Sequence, residues 1–180
     1  IELIVRTAAQ ETSIQQQISI VEELIVQNVD AIVIAPGVSV GLIPILIQAQ
    51  DKGFVIVNID NQLATDYAKR AGLTEVPFIG IENEQAAYNA TSLLVKQLKQ
   101  PTPVVIIEGI RESINGSQRT AGIQRAIAET ELTHVIASES ANWKIDEAFE
   151  LVAKLYNANP NIGAIICAND MMALGAIEYL

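Results

Sequence analysis

The chain has 180 residues, of which 50% are hydrophobic and only 4% aromatic, and its formal net charge is −10. This much apolar side-chain mass excludes an intrinsically disordered chain. The 11 basic residues are scattered, which argues against a nucleic-acid-binding surface. The single Cys167 excludes an internal disulfide and a cysteine-based zinc site. No apolar run reaches the ~18 residues that span a bilayer, so no direct membrane insertion is expected.

Short runs rich in β-branched residues recur at intervals of roughly 23 to 30 residues, about the length of one strand–helix unit. The runs are apolar on both faces, which is typical of parallel strands covered by helices on both sides. The sequence therefore predicts an α/β protein. The predicted strands comprise residues 3–5, 31–35, 55–59, 78–81, 104–108, 133–137 and 163–168.

The segments between these runs have the spacing of amphipathic helices. Thr12 or Ser13 is a candidate N-cap of the first helix, Pro44 suits the first turn of the second helix, and Gly53 suits its C-terminal end. Residues 61–77 are predicted to be the longest irregular connection. The predicted helices comprise residues 14–25, 42–51, 86–98, 118–129, 145–157 and 170–180.

A weak internal repeat relates residues 28–36 to residues 161–169, which share the same residue at four of nine positions. Two interpretations remain open at this point. The two segments could be strand–helix junctions that meet the same packing requirement. Alternatively, the chain consists of two similar α/β lobes, one in each half.

Residues that follow the predicted strands are rich in Asn, Asp and Glu, with one Trp. Ligands of open parallel sheets bind beyond the carboxyl ends of the strands. Amide and carboxylate groups pair with hydroxyls and amines, so this edge is typical of a polar small-molecule site. No dinucleotide, P-loop, zinc-protease or nucleophile-elbow motif occurs. No cofactor and no metal are therefore expected.

Each candidate at this edge has a structural and a functional interpretation. Asp60 either stabilises the following loop or contacts a ligand, and Asn169 either caps the last helix or points to a ligand. Arg119 is predicted in the first turn of its helix, where a cation opposes the helix dipole. That misfit favours pairing with Asp60 or a ligand over an exposed charge. Trp143 either packs in the core or offers its ring to a ligand.

Two other residues are weak candidates for catalysis. His134 falls at the start of its predicted strand, which places it at the surface or at the edge of the core. Cys167 lies within an apolar run, where a free cysteine is commonly buried, and no nearby base is evident. An enzyme that relies on either residue is therefore disfavoured.

Five segments carry a family resemblance and occur in the order of that family. They include Asn169-Asp170 within residues 168–176, which look like the pattern A-x-N-D-x-M-A-x-G-A, and Arg119 within residues 119–123. The others are residues 57–60, 80–83 and 140–143. The chain resembles type I periplasmic solute-binding proteins of the ribose- and galactose-binding kind, whose fold is shared with effector domains of sugar-responsive repressors.

The resemblance implies two Rossmann-like lobes with parallel sheets flanked by helices, joined by three crossing segments, with the ligand held between the lobes. Residues 1–81 would form a first lobe that lacks the family's first strand and helix. Residues 82–180 would form a second lobe that lacks its last strands. The first crossing is expected near residues 81–83.

The same resemblance implies roles for the candidate site residues. Asp60 would accept hydrogen bonds from ligand hydroxyls, Arg119 would donate hydrogen bonds, and Asn169 would add a polar contact. Trp143 would stack on the sugar ring, and Asn115 is a weaker candidate beside Arg119. Asn61 is a further candidate contact. Because ribose-type members often carry Arg at that position, Asn61 argues against a pentose-specific site.

The implied function is non-enzymatic binding of a sugar or related polyol and its delivery to an ABC-type transporter permease or a receptor. Such a protein would be periplasmic or extracellular, with or without a lipid anchor. The alternative is the ligand-sensing domain of a membrane sensor or of a transcriptional regulator, which would be cytoplasmic. A third hypothesis, an α/β enzyme acting on nucleotides or sugars, requires an activated nucleophile or a metal site, and the sequence offers neither.

Overall fold

The structure is a computed structural model that describes residues 2–180. Ile1, the first residue of the predicted first lobe, lies outside the described residues. The chain forms two compact units. The first comprises residues up to Ile81 together with Glu112–Ile114, and the second comprises Glu82–Arg111 and Asn115–Leu180. Among the described residues, no helix is both long enough and apolar enough to cross a membrane.

The first unit is built on a three-stranded parallel sheet with the strand order β1-β2-β3. Ile32 lies opposite Ile56, and Asn58 lies opposite Phe78. Because all three strands are parallel, their carboxyl ends meet at one edge of the sheet. The elements are α1 (Ile14–Gln27), β1 (Ala31–Ile34), α2 (Ile43–Asp51), β2 (Val55–Ile59), α3 (Thr65–Ala71) and β3 (Phe78–Ile79).

The helices of the first unit cover a single face of its sheet. One core cluster joins buried residues of α1, α2 and α3 to Ile32, Ile34 and Ile56 of the sheet. Side chains on the opposite face are open, and Val33 and Val55 are 63% and 59% exposed. Successive strand residues point to opposite faces, which produces this alternation. The predicted α/β class with parallel sheets and flanking helices is confirmed, and the described helices of this unit pack on one face of its sheet.

The second unit is built on a parallel sheet with the strand order β5-β4-β6. Val104 of the central strand lies opposite Val135 on one side and Ala164 on the other. The elements are α4 (Asn83–Val95), β4 (Thr102–Glu108), α5 (Ile114–Ala128), β5 (Thr133–Ser140), α6 (Ile145–Ala158), β6 (Ala164–Cys167) and α7 (Asp170–Tyr179).

The central strand of the second unit is buried on both faces. Residues 104–107 are at most 1% exposed, which confirms the two-sided burial predicted for this strand.

Two glycines allow close helix pairs to form in the second unit. A Cβ on Gly122 of α5 would overlap the carbonyl oxygen of Glu84 in α4, and a Cβ on Gly175 of α7 would overlap the carbonyl oxygen of Ile145 in α6. These contacts leave no room for a side chain at either glycine.

Several predicted elements differ from the structure, and α4, for example, spans Asn83–Val95 instead of residues 86–98. Residues 3–5 form no strand, and none of the described strands pairs with them, so Leu3 remains 82% exposed. A strand needs a hydrogen-bonded neighbour, which an apolar run alone does not supply. The predicted irregular connection contains α3, whose seven residues are too few to show a clear helical period. Helix α5 begins at Ile114 instead of residue 118, because Gly116 and Ser117 are poor helix formers that obscure its start.

Candidate functional site

Asp60 lies immediately after β2, at the carboxyl edge of the first sheet. Its backbone has a φ of 61°, in the left-handed region, which Asp tolerates better than most residues. The Asp60 N–H donates to the carbonyl oxygen of Ile79 at 3.0 Å, which joins the turn to β3. The residue is exposed. The structure thus presents a carboxylate to solvent at the edge where the sequence predicted a ligand contact.

Asn61 differs sharply from its neighbour, since it is only 3% exposed. Its Nδ2 donates to the carbonyl oxygen of Pro36 at 2.9 Å. Its own carbonyl oxygen accepts a hydrogen bond from Nδ2 of Asn58, also at 2.9 Å. These contacts favour an internal role for Asn61 over the predicted direct contact with a ligand.

Arg119 lies in the second turn of α5 and is half-buried. Its Nε donates to Oδ1 of Asn83 at 2.8 Å, and its Nη1 donates to the carbonyl oxygen of Ala168 at 2.9 Å. Asn83 begins α4, and Ala168 follows β6, so these bonds join three elements of the second unit. The expectation that Arg119 occupies the first turn is wrong because α5 starts earlier, and the helix-dipole argument for its role no longer applies.

Trp143 packs against Arg119 in the second unit. The guanidinium carbon lies 5.4 Å from the centroid of the indole ring, within the range of a cation–π contact. Only 9% of Trp143 is exposed. Gly109 leaves room for the ring, because a Cβ at that position would overlap it. Trp143 is therefore packed within the second unit and lies beside the candidate arginine.

Asn169 is the N-cap of α7, where its Oδ1 accepts a hydrogen bond from the Met172 N–H at 2.9 Å. Its Nδ2 makes a longer contact of 3.4 Å with the carbonyl oxygen of Trp143. Asn115 lies in the first turn of α5, one turn before Arg119, and both are half-buried. Residues four apart on a helix share a face, so Asn115 and Arg119 are on the same side of α5.

The structure thus connects Arg119, Trp143 and Asn169 within the second unit, while Asp60 and Asn61 belong to the first. Sequence reasoning placed Asn83 among the polar residues after the strands but did not select it as a site residue, although it is 4% exposed and holds the Arg119 side chain. Asn83 lies 36 residues before Arg119, so no local spacing reveals their contact. Only the order of family-like segments included both residues.

Two carboxylates near these residues have altered pKa values. Burial tends to raise the pKa of Glu108, but hydrogen bonds from Arg111 and Ser138 outweigh burial, and the pKa lies below its ordinary value. Glu147 accepts hydrogen bonds first from Lys144 and then from Asn142, which lower the Glu147 pKa. Both glutamates therefore remain ionised at neutral pH.

The cysteine thiol has the opposite shift. Burial raises the pKa of Cys167 to about 12, which keeps the thiol protonated at neutral pH. His134 is exposed on β5, as the sequence predicted. Within residues 2–180, no group of three or more His, Cys, Asp or Glu side chains is arranged to hold a metal ion.

A family model described as a periplasmic binding protein domain matches residues 1–180. The chain is 39% identical to the D-ribose/D-allose-binding protein of Pseudomonas aeruginosa, over 98% of this chain and 55% of that protein. It is 31% identical to the D-allose-binding periplasmic protein of Escherichia coli, over 93% of this chain and 54% of that protein. The chain therefore spans a little over half the length of these relatives.

Solved structures give the same result. A solute-binding protein of an ABC transporter from Burkholderia multivorans matches with a TM-score of 0.94 and 39% identity, over 99% of this chain and 62% of that one. A periplasmic solute-binding protein from Actinobacillus succinogenes with bound D-allose matches with a TM-score of 0.89 and 36% identity, over the same shares. These relatives are named as binding proteins. The predicted resemblance is confirmed, and the chain belongs to the periplasmic binding protein domain family.

Proposed function

We propose that the complete protein binds a sugar of the D-allose or D-ribose type and releases it unchanged. The observation that carries this proposal is the fixed guanidinium of Arg119, which Asn83 and Ala168 hold beside the ring of Trp143. The relatives named for D-ribose and D-allose, and the structure with bound D-allose, support this class of ligand.

The second unit supplies a donor and an apolar surface for such a ligand. A guanidinium has five N–H donors, and the bonds to Asn83 and Ala168 use two of them. The remaining donors of Arg119 are proposed to bond sugar hydroxyls, while Trp143 contacts the C–H face of the ring. Nδ2 of Asn169, with only a long contact in the protein, adds a further donor. Asn115 is a weaker candidate on the same face of α5.

The first unit supplies the acceptor. The exposed carboxylate of Asp60 is proposed to accept hydrogen bonds from sugar hydroxyls, and such charge-assisted bonds are stronger than neutral ones. Asn61 is proposed to hold the turn that carries Asp60, because its own side chain is buried. A neutral polyol with several hydroxyls can donate to a charged acceptor of this kind.

We propose binding without catalysis, followed by delivery to an ABC-type transporter in the periplasm. The protonated thiol of Cys167 is a poor nucleophile, since thiolates are the reactive form. Support for delivery over sensing by a regulator comes from a 28% identical relative of Bacillus subtilis that is named as a ribose import binding protein, and from the ABC-transporter solute-binding protein of Actinobacillus succinogenes. After prolonged incubation with the protein, the sugar should be recovered unchanged by chromatography, and a new product would contradict this part of the proposal.

Titration calorimetry tests the binding proposal. The purified complete protein is titrated with D-allose, D-ribose, D-galactose, xylitol and myo-inositol. We expect the tightest binding for D-allose or D-ribose. If none of these compounds releases or absorbs heat on binding, and none raises the melting temperature, the proposal is wrong.

A matched pair of variants tests the contribution of Arg119. Arg119→Ala should weaken sugar binding by at least about tenfold, since a hydrogen bond from a charged donor contributes 1.5–3 kcal/mol by order of magnitude. Arg125→Ala is the control, because Arg125 lies on the same helix but pairs with Glu84 and stacks on Tyr88. Equal loss of affinity in both variants would contradict the proposed site.

A further inference from the structure

Two buried asparagines lie beneath the turn that presents Asp60. Asn58 is 2% exposed and Asn61 is 3% exposed, which is unusual for side chains with four hydrogen-bonding positions. Asn58 occupies a position of β2 on the face that the helices cover, where the neighbouring Ile56 is apolar. A buried amide in such a position costs free energy unless its donors and acceptor are paired. The pairing of these two amides therefore indicates what they do.

The Asn58 side chain bridges the turn from below. Its Nδ2 donates to the carbonyl oxygen of Asn61 at 2.9 Å, and its Oδ1 accepts a hydrogen bond from the Leu63 N–H at 2.9 Å. Both partners follow Asp60 in the chain, whereas Asn58 precedes it. The two bonds therefore join the chain before Asp60 to the chain after it, and they fix both ends of the turn.

The Asn61 side chain joins the same turn to the neighbouring strand. Its Nδ2 donates to the carbonyl oxygen of Pro36, two residues beyond the end of β1. On the other side, the Asp60 N–H donates to the carbonyl oxygen of Ile79 in β3. The turn is consequently held to both neighbours of β2, and it has little freedom to rotate.

Asp60 needs this support because of its backbone conformation. A φ of 61° costs a non-glycine residue roughly 1 kcal/mol relative to the right-handed region. Reversal of φ would redirect the carboxylate. A neutral amide suits the supporting position because it donates and accepts at once, whereas a buried carboxylate there would lose the donors and place a second negative charge near Asp60.

We infer that Asn58 and Asn61 are positioning residues that set the direction of the Asp60 carboxylate and influence sugar affinity only through it. This inference rests on the proposed function, in which Asp60 accepts hydrogen bonds from the sugar. It assigns to Asn61 a role that differs from the direct ligand contact predicted from the sequence. It also adds Asn58, which the sequence did not single out.

A double-mutant cycle in the complete protein tests the inference. Calorimetry with D-allose and D-ribose measures the dissociation constant of Asp60→Asn, Asn61→Ala and the double variant. Asn tolerates positive φ, so D60N removes the charge without new backbone strain. We expect D60N to weaken binding about tenfold and N61A about fivefold. In the D60N background, N61A should change affinity less than about twofold, because the group through which it acts is already altered.

Stability is the second readout of the cycle. N61A leaves the carbonyl oxygen of Pro36 without this donor, so it should lower the free energy of unfolding equally in both backgrounds. A purely structural role would produce this equal loss without coupling in affinity. Gln62→Ala is the matched control, because Gln62 lies in the same turn and donates only a long 3.4 Å bond to Oγ1 of Thr65.

Hydrogen exchange of the sugar-free protein separates this inference from the proposed function. N61A should accelerate exchange of the Asp60 amide, and Q62A should not. If the unsubstituted protein binds sugar but N61A weakens binding by the same factor in both backgrounds, the inference is overturned while sugar binding stands. If D60N binds as tightly as the unsubstituted protein, Asp60 is not the group through which the amides act, and the inference is again overturned.

Discussion

Strands β1 and β4 contain similar apolar stretches in different surroundings. Residues 31–34 of β1 are Ala, Ile, Val and Ile, and residues 104–107 of β4 are Val, Val, Ile and Ile, so both stretches predict strands buried on two faces. In β4 every residue from 104 to 107 is buried, whereas in β1 the exposed Val33 lies between the buried Ile32 and Ile34. The difference shows that an apolar sequence makes burial of a strand favourable, but the elements packed on each face of the sheet determine which side chains are buried.

The two units also hold their candidate ligand contacts in different ways. The turn around Asp60 is fixed by neutral amides that bond backbone groups, namely those of Asn58 and Asn61. The loop that carries Trp143 is fixed partly by charge, because Asn142 and Lys144 both donate to Glu147. The first support should therefore be insensitive to pH, and the second should weaken in acid.

The largest expected difference between the two sheets is in thiol reactivity. Cys167 on β6 has its pKa raised to about 12 by burial, whereas a cysteine introduced by Val33→Cys would occupy a position that is 63% exposed. In the V33C variant that also carries Cys167→Ala, the thiol should react with a disulfide reagent about a hundredfold faster at pH 8. This ratio of reaction rates is smaller than the roughly thousandfold difference in the fraction of thiolate between the two cysteines, because a less basic thiolate is a weaker nucleophile.

Ellman's reagent measures both rates, and unfolding in urea supplies the control. In urea both cysteines should react at the same rate, because burial is lost. A native Cys167 that reacts as fast as the V33C cysteine would show that the second sheet does not shield its edge strand.

A matched pair of Val→Ala substitutions measures the same difference as stability. Val105→Ala removes two methyl groups from a fully buried position and should cost about 2 kcal/mol. Val33→Ala makes the same chemical change on the open face and should cost less than about 0.5 kcal/mol. Urea unfolding of the purified variants provides both values. Equal losses would mean that the face of Val33 is covered in solution.

Two glycines extend the comparison to the candidate ligand contacts. A Cβ introduced by Gly109→Ala would overlap the ring of Trp143, so the ring must move. We expect sugar affinity to fall about tenfold, since a displaced aromatic contact is worth 0.5–1.5 kcal/mol by order of magnitude. Trp143 is the only Trp of the chain, so its fluorescence emission should shift to longer wavelength as its burial decreases.

Gly53→Ala in the first unit is the control for this effect. Gly53 has a φ of 90°, and no atom lies within 4 Å of the position of an added Cβ. The substitution should therefore cost about 1 kcal/mol of stability through backbone strain but leave sugar affinity and emission unchanged. Loss of affinity in both variants would indicate general destabilisation instead of a displaced ring.

The sequence predicted the parallel strands and the position of Asp60 well, because both depend on local runs of residues. Strand β2 has the predicted bounds, and Asp60 follows it directly. The opposite exposure of Asp60 and Asn61 was not predictable, since it arises from a positive φ and from bonds to residues of other strands. The partners of Arg119 were equally hidden, because Asn83 and Ala168 are 36 and 49 residues away from it.

The smallest expected effect concerns acid and the charged support of the Trp143 loop. The pKa of Glu147 lies below its ordinary value of 4.5 because Lys144 and Asn142 donate hydrogen bonds to it. A carboxyl whose pKa is lowered by folding stabilises the protein above pH 4.5, and that stability is lost as pH falls through the lowered value.

The side chain introduced by Glu147→Gln cannot ionise, so this substitution should remove the contribution of Glu147 to the acid dependence of stability. That contribution is less than about 1 kcal/mol for so exposed a pair. Glu150→Gln, which alters an exposed glutamate of the same helix, is the control. Urea unfolding at pH 7 and pH 3 measures the stability of each variant, and the fluorescence emission of Trp143 reports on the loop. The rate of hydrogen exchange at the Asp60 amide should be the same in E147Q and in the unsubstituted protein. If E147Q and the unsubstituted protein lose equal stability between these pH values, the charge of Glu147 does not support the loop, and the proposed contrast between the two units fails there.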